Sequence, residues 1–73
     1  MDKDRRALAR QLFAIATELI EEAHEAAVIG QSPDLTASTS EKSSRKLQSL
    51  SRDLVGLAEA VAVVADTKQR SSR

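Results

Sequence analysis

Glu21 and His24 stand three residues apart in a stretch of helical periodicity, the spacing by which four-helix bundles hold carboxylate-bridged metal ions. Such ligands must project into a bundle core. Glu21 falls on the polar side of its helix and His24 at the edge of the apolar arc, so the expectation is a solvated or ion-paired histidine and no metal site. His24 is the only histidine and cysteine is absent, which leaves neither a nitrogen and sulfur set for zinc nor a disulfide. Catalysis requires a nucleophile or an acid–base pair held inside a pocket, and this chain offers neither. The expectation is a non-enzymatic protein without a cofactor.

Basic side chains cluster at Arg5, Arg6 and Arg10 and again at Lys42, Arg45 and Lys46, where they could contact phosphates. Dimeric helical hairpins that bind RNA exist as an architecture. Against this, 11 basic and 11 acidic residues balance to a net charge of zero, which removes the long-range attraction of a general nucleic-acid binder. Solvated helix ends are therefore the expected role of these clusters. Phe13 is the only aromatic residue, so platforms for base stacking and aromatic membrane anchors are both missing. The N-terminal run Met1 to Arg6 is charged, and Glu18, Glu21 and Glu22 break the apolar stretch that follows. Neither a signal peptide nor a membrane span is expected, and a cytoplasmic location is the default.

These side chains must be positioned by helices. From about residue 4 to 29 apolar residues recur at three-and-four spacing, uninterrupted by glycine or proline. Leu8, Leu12, Ile15, Leu19, Ala26 and Ile29 form one row. A second row, displaced by one residue, is Ala9, Phe13, Ala16, Ile20, Ala23 and Ala27; together they cover an arc of roughly 160°, wider than the ~100° stripe of an ordinary surface helix. Gly30 and then Pro33 mark the end of this helix, as a glycine cap followed by a residue that cannot continue it. The loop is read as 30–38, with a short turn starting at Ser32, Pro33 and Asp34 and with Leu35 closing the hairpin end. Ser38 with Glu41 matches a capping box, and Thr39 or Ser40 offers an alternative cap.

The second helix, about 39–66, carries Leu47, Leu50, Leu54, Leu57, Val61 and Val64 in strict alternation of three and four, widened by Ala58 and Ala65. Serines at Ser43, Ser44 and Ser49 predict easier fraying of its first turns. Residues 1–3 are expected to be a flexible N-terminus and 67–73 a disordered tail, because neither has anything to bury.

The fold class is thus all-α, an antiparallel two-helix hairpin. A connection of this length is typical of antiparallel neighbours. Helix 1 is basic at its start (Lys3, Arg5, Arg6, Arg10) and acidic later (Glu18, Glu21, Glu22, Glu25), the reverse of what its own macrodipole prefers. Helix 2 runs from basic (Lys42, Arg45, Lys46, Arg52) to acidic (Asp53, Glu59, Asp66), so an antiparallel fold sets each block beside its opposite. The plainer explanation is that both signs keep the outer faces solvated.

One helix cannot cover the whole arc of the other, and a core this small supplies only about 3 to 5 kcal/mol. Leu8, Ala9, Leu12, Phe13, Ile15, Ala16, Leu19 and Ile20 are therefore the expected partner or dimer interface, while Leu47, Leu50, Leu54, Leu57, Val61 and Val64 form the hairpin core. Alanines at Ala7, Ala14, Ala23, Ala26 and Ala27 add room for close approach, and Gly56 with Ala60 suggests another such place. Val55 and Val63 lie off the leucine stripe and could extend a contact patch.

The favoured function is a small regulatory adaptor or inhibitor, antiactivator-like, that docks another protein such as a transcription factor. Two alternatives stand beside it. One is a homodimeric four-helix bundle with a structural or RNA-binding role. The other is half of an obligate heteromeric assembly, such as a secretion chaperone or an antitoxin, unfolded when alone.

Overall fold

A computed structural model describes residues 2–65 of the 73-residue chain. Two helices, α1 (Lys3–Ile29) and α2 (Ala37–Ala65), fold back on each other, and no strand occurs among the described residues. The hairpin measures 55 × 21 × 12 Å. Its radius of gyration is 16.9 Å, against about 11 Å for a compact globule of this length, so two helices side by side enclose little.

Local chemistry sets the helix ends. Asp2 caps α1: its side chain accepts the Arg5 N–H at 2.8 Å, and the negative charge suits the helix N-terminus. Asp2 and Lys3, expected within the N-terminal segment 1–3, thus form the cap and the first residue of α1. At the other end Gly30 is right-handed (φ −67°, ψ −11°), so the cap does not use the positive φ that normally selects glycine there. The helix instead tightens. The Gln31 and Ser32 N–H groups donate to Val28 O (3.0 Å) and Ile29 O (3.2 Å), and the Gln31 side chain donates to Ala27 O (3.2 Å). A turn follows, in which Ser32 O accepts the Leu35 N–H and Ser32 Oγ accepts the Asp34 N–H, both at 3.2 Å. Leu35 remains exposed, so it covers the hairpin end only in part.

α2 begins two residues before the expected 39, because Thr36 is the cap. Its hydroxyl accepts the Thr39 N–H at 3.1 Å and donates to Thr39 Oγ1 at 3.0 Å, while its carbonyl accepts the Ser40 N–H at 2.9 Å. Thr36 is the first hydroxyl residue after the proline turn, and that position decides the start ahead of the Ser38–Glu41 pattern. Helix 2 was expected to reach about 66; Asp66 and the tail expected over 67–73 lie outside the described residues.

The helices meet along a seam that runs between the two apolar rows of α1. Arg5, Ala9, Leu12, Ala16, Leu19, Ala23, Ala26 and Gly30, in steps of four and three, are its less exposed residues. Ser43, Leu47, Leu50, Leu54, Leu57, Val61 and Val64 answer them from α2. Ala9, Ala16, Ala23 and Gly30 recur every seventh residue, so α1 offers a smooth edge into which the leucines of α2 settle. Only Ala9 (6%), Ala26 (6%) and Leu50 (7%) are buried among the described residues.

The caps and the seam give separable expectations. Thr36→Ala should cost about 1 kcal/mol and Ser38→Ala less than about 0.5 kcal/mol in urea unfolding followed by circular dichroism. Equal losses would place the cap wrongly. By the same measurement Leu50→Ala should cost about 2 kcal/mol, and Ala16→Leu about 1 to 3 kcal/mol by forcing the helices apart. An Ala16→Leu variant as stable as the parent would refute a close-packed alanine edge.

Candidate interaction surface

Glu22 and Lys46 pair across the helices at 3.4 Å, and this fixes the register. Each step forward along α1 is a step back along α2, so Phe13 stands level with Val55, Ile15 with Asp53 and Ile20 with Gln48. Residues flanking the seam then divide between the two broad sides of the hairpin.

One side carries Phe13 and Ile20 of α1 with Val55, Ala58 and Ala62 of α2. Phe13 is 59%, Ile20 54% and Val55 58% exposed. No carboxylate interrupts this side between Arg6 and Ala27 on α1; its charged groups are Arg6 and Arg10 near the open end, Glu41 near the loop, and Arg52 and Glu59 along the outer margin of α2. Beside Ile20, the surface of α2 sinks into a shallow depression of about 510 Å³ lined by Ser44, Leu47, Gln48, Ser51 and Arg52, because serines stand where larger side chains would fill it.

The opposite side carries Leu8, Ile15 and Ile29, all exposed, with Gly56, Ala60 and Val63 of α2. Charge breaks it up: Glu18, Glu22 and Glu25 share it with Lys42, Lys46 and Asp53. A groove of about 360 Å³ near the loop is lined by Glu22, Glu25, Ala26, Ile29, Thr39, Lys42, Ser43 and Lys46. Two carboxylates and two ammonium groups balance within it. The Glu22–Lys46 pair is half-exposed and contributes about 0 to 1 kcal/mol, so it aligns the helices more than it holds them.

The residues expected at a partner interface thus separate. Ala9, Leu12, Ala16 and Leu19 lie in the seam against α2, while Leu8, Phe13, Ile15 and Ile20 face outward. The residues expected in the hairpin core, Leu47, Leu50, Leu54, Leu57, Val61 and Val64, all lie along the seam, with Leu50 the most buried. Glu21 and His24 are both exposed, and no group of three or more His, Cys, Asp or Glu among the described residues is arranged to hold a metal ion. No described helix is long and apolar enough to cross a membrane.

The basic clusters sit at opposite ends of the hairpin and several members have carboxylate neighbours. Arg45 pairs with Glu41 at 3.0 Å, Lys46 with Glu22, and Arg5 Nε lies 3.9 Å from Asp2. Arg5 occupies a seam position, with one buried guanidinium nitrogen that has no hydrogen-bond partner among the described residues. Its alternation with Ala9 and Leu12 was the available signal for that placement, obscured because an arginine does not register as part of an apolar row.

Comparison with protein-family models, with curated proteins and with solved structures gives no match to this chain.

A Cβ added to Gly56 would meet nothing within 4 Å, so no contact among the described residues requires glycine there. Gly56→Ala should stabilise the isolated hairpin by about 1 kcal/mol through helix propensity alone, read as a raised urea midpoint with unchanged slope. A loss of stability would mean that the backbone at Gly56 is packed after all.

Proposed function

We propose that this chain is a protein–protein interaction module, a small adaptor or inhibitor that docks helices of a partner protein, such as a transcription regulator, against its Phe13 side. The observation that carries this reading is the exposure of Phe13, Ile20 and Val55 on a side where α1 places no carboxylate over the length of its apolar run. Exposed apolar side chains scattered singly are ordinary, but a bulky set at helical spacing on one side is the form taken by helix-in-groove recognition. Added helices would complete a four-helix bundle and supply the core that two helices lack. The separation of the basic clusters gives no comparable support to an RNA-binding role, which would favour one continuous basic stripe.

Partner binding through this side makes a specific forecast. Proteins retained by the tagged chain should be lost with Phe13→Asp and with Ile20→Asp, and kept with Val63→Asp, whose exposed parent residue (61%) points from the other side. Circular dichroism must show equal helicity for all three variants. Retention of the same proteins by Phe13→Asp would remove the proposal.

A further inference from the structure

We infer that the resting occupant of the Phe13 side is a second copy of this chain, stacked face to face with its loop at the opposite end, so that a partner must displace it. This rests on the proposed role of that side as an interaction surface, and it adds the identity of the occupant and a means of regulation.

Four observations lead there. The first is symmetry of placement. Phe13 and Ile20 stand three residues before and four after Ala16, the midpoint of α1. A twofold axis through that level sets Phe13 of each copy against Ile20 of the other. At that level α2 presents Arg52, one residue from its own midpoint, Ser51. Val55 lies four residues beyond Ser51, and the depression between Ser44 and Ser51 is centred between three and four residues before it. One axis therefore seats both features, with each Val55 entering the other copy's depression.

The second observation is the shape of that depression. Ser44, Leu47, Gln48 and Ser51 follow the i, i+3, i+4, i+7 pattern that forms a hole for a knob from a facing helix. Val55, 58% exposed, is a knob of suitable size.

Charge supplies the third. Stacked with loops at opposite ends, the Arg6 and Arg10 pairs of the two copies lie at opposite ends of the interface. Stacked with loops together, the arginines of both copies would crowd one end of the interface. The fourth is area. A side of 55 by 21 Å offers on the order of 1,000 Å², above the ~800 Å² per partner of a standard stable interface.

The chain contains no cysteine, so single cysteines report contacts cleanly. Ser51 lies beside the proposed axis, and a disulfide requires Cα atoms within about 7 Å. The expected results are a dimer in sedimentation equilibrium and a disulfide-linked dimer from Ser51→Cys on mild oxidation. Phe13→Asp and Val55→Lys should each weaken pairing by about a hundredfold with helicity kept, since the twofold counts each change twice. A folded wild-type monomer at millimolar concentration would overturn self-pairing, while the capture experiment could still uphold a foreign partner. A dimer indifferent to both substitutions would overturn the choice of surface. Cross-linking only between Ser51→Cys and Thr17→Cys chains would overturn the direction, because those positions face each other when the loops lie together.

Discussion

Everything in this hairpin depends on how closely α1 can approach α2. Alanines at every seventh residue make one edge of α1 smooth, and the leucines of α2 lie along it. The contact is close but narrow, because alanine contributes little volume and each helix shows its neighbour only a strip. None of the described residues is buried as a large globular core buries its side chains: even Leu50 keeps some exposure.

The remaining apolar side chains follow from that constraint. Two helices in contact cover at most the seam and its immediate margins, so Leu8 and Ile15 of one apolar row of α1 and Phe13 and Ile20 of the other are turned to the flanks. Leu8 and Ile15 fall on one flank, among carboxylates and lysines that can solvate it. Phe13 and Ile20 fall on the other, level with Val55 and Gln48, where no carboxylate of α1 intervenes. The asymmetry between the two sides is the reason to assign interaction to the second.

Much of the architecture was legible from spacing alone. The leucine alternation in α2 has one period and one face, so Leu47 through Val64 could be placed on the seam without ambiguity. The antiparallel direction was legible from charge order, and Glu22–Lys46 shows the pairing it implied. The cap of α2 was harder, because Ser38, Thr39 and Ser40 all carry cap-forming side chains and only the path of the preceding turn selects Thr36. Gly30 illustrates a similar limit: glycine after a periodic run suggests a left-handed cap, yet the backbone stays right-handed and Gln31 satisfies a carbonyl instead.

Helix type, helix number and the existence of surplus apolar surface were determined by the sequence itself, because periodicity and the count of apolar positions are local properties. Which residues became that surplus was decided only by tertiary packing. The arc of α1 contains two rows displaced by about 100°, and either could have faced α2. The seam took the line between them, since that line carries Ala9, Ala16, Ala23 and Gly30 at every seventh position, where small side chains permit closest approach. Ala9, Leu12, Ala16 and Leu19 were thereby drawn inward, and Phe13 and Ile20 were left facing out.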